Sequence, residues 1–177
     1  MCLAEVLGMC SFATFQALIP TFKSDWGLNN TEAGWISGIY FAGYVAAVPV
    51  LSSLTDRVDP KIVILFSLAL GGGASIAFAF FADGVWTALG LRALHGIGLA
   101  GTYMPGLKAL SDHVEGPQQS RYVAVYTASF GIGAGTSYLL AGSIEPTFGW
   151  SWAFGINAIG AALAALLIII VLPSQTS

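Results

Sequence analysis

Six apolar stretches, Cys2 to Phe22, Ala33 to Leu54, Ile62 to Ala82, Val85 to Leu107, Tyr122 to Ile144 and Trp150 to Leu172, take up most of the 177 residues and decide what this chain can fold into. A helix of ~20 apolar residues rises ~30 Å, the thickness of the hydrocarbon layer of a bilayer. Charged residues make up only 8% of the chain against 56% hydrophobic ones, where a soluble domain carries ~25% charge. With a mean hydropathy of +0.78, too little polar surface remains to keep such a fold in water. Lipid is the alternative solvent, and there each spanning segment must satisfy its own backbone. The expected class is an all-α integral membrane protein, a compact bundle of six transmembrane helices with no domain outside the bilayer.

The connections carry the topology. Arg57 and Lys61 lie in the second, Lys108 and Arg121 in the fourth, and the other three hold only Lys23. Basic residues collect on the cytoplasmic side, which places both termini there and points to an inner (plasma) membrane. Trp26, Trp35, Trp86, Trp150 and Trp152 all fall near the opposite helix ends, as an outer aromatic belt requires. The first stretch has no basic leader, contains Glu5 and is too long for a signal sequence, so it reads as a retained helix.

Several chemistries are not supported. Six scattered Lys and Arg at a net charge of −3 build no phosphate-binding patch, so no nucleic acid is expected. Cys2 and Cys10 have neither metal nor redox spacing and read as packing residues. No metal or cofactor is expected, and no constellation of nucleophiles or carboxylates suggests an enzyme.

Against this background LTDRVDPK, Leu54 to Lys61, stands out, with Asp56, Arg57, Asp59 and Lys61 charged. Asp59-Pro60 explains a turn, but not the order Asp-Arg followed by Lys directly after an apolar helix. The stretch resembles the loop 2-3 signature of the major facilitator superfamily, G-x-L-A-D-R-x-G-R-K. Leu54, Asp56, Arg57 and Lys61 match, while Ser52 and Asp59 stand in place of glycines. RALHGIGLAG, from Arg92 to Gly101, is similar to the R-x-x-x-G-x-G-x-A pattern of that family's fourth helix, with Arg92, Gly96, Gly98 and Ala100 in register. FGWSWAFGINA, from Phe148 to Ala158, resembles the entry into its sixth helix. The antiporter signature of the fifth helix is not matched, since GIGAG at Gly131 to Gly135 lacks its proline.

The resemblance implies the N-terminal six-helix half of a secondary transporter, built from two three-helix inverted repeats. It would carry a small solute by alternating access against a C-terminal six-helix half. It also implies that Asp56, Arg57 and Lys61 form a cytoplasmic gate, and that the first and fourth helices line the cavity, which favours Gln16, Arg92 and Tyr103. A non-transporting scaffold with the same fold and a homodimeric six-helix carrier are the alternatives.

Polar residues within the spans are the remaining candidates. Arg92 lies ~10 Å inside the fourth helix by helical rise, where a charge is costly unless it meets a partner or a cavity. His95 shares its face at i,i+3 spacing, and Asn157, Tyr40, Tyr44 and Tyr126 are further polar groups. No Asp or Glu is read as an intramembrane proton carrier, so proton coupling is not assigned. Ser129, Gly133, Ser137 and Ala141 recur every four residues with Gly131 and Gly135 beside them, a helix-packing seam of small residues. Pro20, Pro49 and Pro105 are candidate kinks. Asn29-Asn30-Thr31 matches a glycosylation sequon at a position where helix capping is the simpler account.

Overall fold

In the computed structural model, which describes residues 1–114, 116 and 118–172, helices follow one another along the chain, with no strand among the described residues. Residues 173–177 lie outside the described residues, as do positions 115 and 117 of the fourth connection.

The first stretch is not the single helix expected. It runs as α1 (Cys2–Gly8), a 3-10 turn (Met9–Ser11), α2 (Thr14–Ala17) and α3 (Ile19–Asp25). Ser11, Thr14 and Gln16 in this segment bond to side chains of other helices, His95, Asn157 and Arg92. One freed donor, the Ala13 N–H, is met by Ser137 Oγ at 2.9 Å, as an interrupted helix in lipid requires. Pro20 falls in the first turn of α3, where a missing N–H costs little.

The other elements are long: α4 (Asn30–Leu54), α5 (Pro60–Phe81), α6 (Val85–His113), α7 (Gln119–Phe148) and α8 (Trp150–Val171). Their boundaries follow local chemistry. Asn29 accepts from the Glu32 N–H at 2.9 Å while Glu32 accepts from the Asn29 N–H at 2.9 Å, a complete capping box that starts α4. Asp59 caps α5 by accepting from the Lys61 N–H at 2.8 Å, with Pro60 at the first helical position. Gly149, at φ 84°, makes the left-handed turn between α7 and α8. Pro49, Pro105 and Pro146 lie inside helices.

By length and composition α4, α5, α7 and α8 are apolar enough to cross a membrane. At 29 residues α6 is longer than α4, α5 or α8, but Arg92, His95 and its glycines leave it below that apolarity. α6 packs against α4 and α5, α8 packs against α5, and α1 lodges between α7 and α8. Close crossings need glycine: a Cβ on Gly96 would run into the Tyr40 carbonyl oxygen, and one on Gly98 would come within 2.7 Å of the Gly71 nitrogen. The glycines read as a family pattern are thus where backbones meet.

The two ends of the bundle differ. At the tryptophan end, Phe15, Phe22, Phe78 and Phe154 are buried with Trp26 and Trp150 packed on them, and Phe78 stacks on Phe154 at 4.1 Å between ring centroids. At the end carrying the 54–60 connection, the core is aliphatic, with Ala4, Ile64, Leu68, Ala164, Ile168 and Leu172.

Candidate functional site

The break in the first stretch coincides with the most unusual side chain. Arg92, on α6, is 0% exposed. Its Nη2 donates to Gln16 Oε1 at 3.4 Å, and its guanidinium carbon lies 4.3 Å from the centroid of the Tyr40 ring and 5.6 Å from that of Phe15. Nε and Nη1 have no hydrogen-bond partner among the described residues. Cation–π contacts of this kind are worth about 2 kcal/mol when desolvated, less than removing a guanidinium from water costs. The result is a concentrated, under-compensated positive charge within the bundle. In this conformation the rings of Tyr40 and Phe15 cover Arg92, and Gln16, which is only partly buried, connects it outward.

His95, one turn along α6, is buried with its Nε2 2.9 Å from Ser11 Oγ in the 3-10 turn, and Tyr40 meets the imidazole edge-on at 5.2 Å. Arg92, His95, Gln16, Ser11 and Tyr40 therefore form one knot between α6, α4 and the interrupted first segment. Asn157 belongs to a second group. Its Nδ2 donates to Thr14 Oγ1 at 2.7 Å, and Thr14 Oγ1 lies 3.5 Å from Ser137 Oγ. Asn157 thus ties α8 to the broken segment and to α7, while its Oδ1 is buried without a partner among the described residues. Tyr103 is on a third surface. It stacks on Tyr126 at 5.6 Å and meets Phe130 edge-on at 5.4 Å, and with Phe12 and Tyr44 it forms a half-buried aromatic layer over Met9, Tyr40 and Leu99.

The seam residues divide by face. Ser129, Gly133, Ser137 and Ala141 are buried, and a Cβ on Gly133 would reach 2.6 Å from the Met9 Cβ. Gly131 and Gly135 look the other way, with open space where their Cβ would be.

In the charged connection, Lys108 of α6 makes an ion pair with Asp56 and also reaches Thr55 Oγ1 at 3.4 Å. Lys61 turns to α8, donating to the carbonyls of Ile169 at 3.0 Å and Leu172 at 2.6 Å, the unpaired acceptors of a helix C-terminus. Arg57 is exposed.

One carboxyl escaped the sequence reading. Glu5, which the apolar run around it marked only as unlike a signal sequence, turns its side chain into the bundle, and Ser129 Oγ lies 2.5 Å from its Oε2. The expectation that no carboxyl stands inside the spans is corrected: α1 faces α7 and α8, so a residue near its start is still enclosed by protein. The signal was available, since a lone Glu in an apolar segment is subject to the same argument as Arg92.

The sequence profile of the Major Facilitator Superfamily matches residues 1–177. Among known proteins the chain is similar to the niacin transporter NiaP of Acinetobacter baylyi, 28% identical over 85% of this chain and 34% of that protein. It is also similar to the efflux pump apf11 of Gibberella fujikuroi, 29% identical over 98% of this chain and 31% of that protein. The 4-hydroxybenzoate transporter PcaK of Acinetobacter baylyi is 26% identical over 92% of this chain and 35% of its own. Among solved structures, that of a mutant peptide transporter POT in complex with sulfate superposes with a TM-score of 0.83 at 18% identity, over 96% of this chain and 36% of that one. The chain spans about a third of the length of each of these relatives.

Proposed function

The chain belongs to the major facilitator superfamily, and from that premise we propose that it is the N-terminal six-helix half of a secondary transporter that moves a small solute by alternating access. In this reading α6 and the interrupted segment 2–22 are the two spans beyond the four most apolar ones, the halves rock about a midplane site, and both termini are cytoplasmic. The C-terminal six-helix half is the partner that completes the site.

The observation that carries the reading is Arg92, wholly buried and with two nitrogens unpartnered among the described residues, beside the interrupted first segment. An ionisable group held within a span at that cost marks a solute or coupling site, and broken helices near the midplane are where such sites are built. The solute class that suits it presents an anionic group. Arg92 draws the anion electrostatically, and Gln16 and the aromatic layer of Phe12, Tyr44 and Tyr103 meet its remaining surface. The relatives named for niacin and 4-hydroxybenzoate support this class, because each compound joins an aromatic ring to a carboxylate. The connection with Asp56, Arg57 and Lys61 is the gate on the cytoplasmic side: the Asp56–Lys108 pair closes one helix end on another and breaks when the end opens.

Flux of radiolabelled niacin and 4-hydroxybenzoate into proteoliposomes tests the reading, with the complete protein, the 177-residue chain alone, and the variants Arg92→Lys and Arg92→Ala. The complete protein transports, and the short chain alone does not. Arg92→Lys keeps the charge but loses the planar fork, so its rate falls about tenfold or more, the equivalent of one charge-assisted hydrogen bond. Full activity of Arg92→Ala ends the case for the residue, and robust flux through the short chain replaces the half-transporter with a homodimeric carrier.

A further inference from the structure

We infer that the furrow between α5 and α8 at the tryptophan end is a binding site for one phospholipid acyl chain, taken from the leaflet at that end. That this face looks into lipid, and not at the C-terminal half, rests on the transporter reading above.

A glycine inside a helix costs ~1 kcal/mol relative to alanine. Elsewhere on these two helices a close crossing explains it: a Cβ on Gly72 would come within 3.0 Å of the Ala161 Cβ, and one on Gly160 would meet the Leu7 carbonyl oxygen. A Cβ on Gly155 would meet nothing within 4 Å, and Gly155 is not among the residues with positive φ. Neither a crossing nor a turn requires it, and what its missing side chain leaves is space. With Ala79 it makes the floor of a cavity of about 400 Å³, in the ~300–1,000 Å³ range of ligand sites. Ile76 and Phe80 of α5 form one wall, Trp152 and Ile159 of α8 the other.

Shape and chemistry select the occupant. No Asp, Glu, Lys, Arg or His lines the furrow among the described residues, and Ser151 and the Trp152 indole supply its polar groups. Both stand at the mouth, in the first turn of α8, at the level where tryptophans meet headgroups. From Ser151 to Ile159 the helix rises ~12 Å, most of the ~15 Å of hydrocarbon in one leaflet. That is the length and direction of an acyl chain that enters with its ester end at Ser151. Packed helices have axes ~8–10 Å apart, so the furrow between them is one chain wide and does not suit a rigid ring plate. It is also preformed: directly behind the floor Phe78 stacks on Phe154 at 4.1 Å, and Ser75 donates to the Phe154 carbonyl at 3.0 Å. A chain seated there touches protein on three sides instead of one, and in lipid that added van der Waals contact is what retains it.

The position on the bundle favours lipid over protein as the cover. Arg92, Gln16 and the aromatic layer gather residues of α4, α6, α7 and the first segment. To that layer α5 and α8 contribute no side chain, and they pack on each other. A half that completes the site covers the first group of helices and leaves the furrow to the bilayer.

The test is photolabelling of the complete protein, purified in dodecyl maltoside, stripped of lipid and titrated with phosphatidylcholine that carries a diazirine on its acyl chain. Label on 76–80 and 155–159 saturates and is displaced by unlabelled phosphatidylcholine but not by cholesterol. Label on Phe66 and Ile170, exposed residues of the same helices at the other end, rises without saturating. Gly155→Leu fills the floor and loses the saturable label. Should that variant fail to fold, Phe80→Ala, which removes a wall at an exposed position, serves instead and lowers it. Unsaturable label throughout means bulk lipid only and overturns the site, as does displacement by cholesterol alone. Crosslinks from the furrow to a second copy or to the C-terminal half, in place of the lipid label, overturn it too. Transport does not enter this measurement: a protein that carries no solute leaves a saturable furrow standing, and an unlabelled furrow leaves the transporter reading untouched.

Discussion

The two ends of the bundle are built on different principles. At the tryptophan end the helices are joined by ring against ring: Phe22 meets Phe15, Phe78, Trp26 and Trp150 with centroids 4.5 to 5.9 Å apart, and Thr21 donates to Glu145 at 3.0 Å to tie α3 to α7. Aromatic contacts are many and weak, and each depends on close fit, so the set gives way only as a whole. At the other end the core is Ala, Ile and Leu, and the inter-helix ties are polar: Lys108 to Asp56, Lys61 to the end of α8, Glu5 against Ser129. The Lys108–Asp56 pair, at 37% and 68% exposed, can be exchanged for water at little cost. Within this bundle one end is held by ring packing and the other by polar ties between helices.

The largest effect expected from breaking this contrast is at the rigid end. Phe78→Ala empties a site that is 1% exposed, and the lost packing costs about 3–5 kcal/mol, read as a lower midpoint for unfolding of the micelle-bound chain in denaturant. A loss below about 1 kcal/mol would mean that the rings are not what holds this end. Gly96→Ala comes next. The new Cβ meets the Tyr40 carbonyl oxygen, so α4 and α6 must separate, for about 1–3 kcal/mol, and the cover over Arg92 loosens with them. Arg92 should then become more accessible to an arginine-selective reagent than in the wild type, and unchanged reactivity would place its shielding elsewhere.

The smallest effect on stability, and the sharpest test of the contrast, is Asp56→Asn. The Asp56 and Lys108 side chains are 68% and 37% exposed, so their ion pair contributes at most about 1 kcal/mol. The variant should insert and accumulate normally while the complete protein transports more slowly, with a cysteine in the aromatic layer labelled faster from the cytoplasmic side. Equal transport and labelling would reduce LTDRVDPK to a charged turn.

Charge in an apolar run singles out Arg92, and the same argument applies to Glu5, near the start of its segment. The four-residue period of Ser129, Gly133, Ser137 and Ala141 marked one face of α7, and that is the face buried against the first segment. The neighbours Gly131 and Gly135, two positions off, lie on the open face, as helical geometry demands. Lys61 was legible as a charge in the loop but not as a ligand of the Ile169 and Leu172 carbonyls, which are 108 and 111 positions away.

What the sequence by itself determined is the solvent and the plan. Apolar runs of membrane length, short connections, and basic and tryptophan residues at opposite ends leave a helical bundle in lipid as the arrangement that satisfies every backbone group. These are properties of consecutive residues, summed along each segment. Where the chain would break a helix, and which polar groups would meet, only the tertiary structure decided. The interruption at 9–18 is stable because Ser137 of α7 supplies an acceptor to Ala13, and Arg92 is covered because Gly96 lets the Tyr40 backbone approach. Such contacts depend on distances between helices, and those are set by packing many side chains at once.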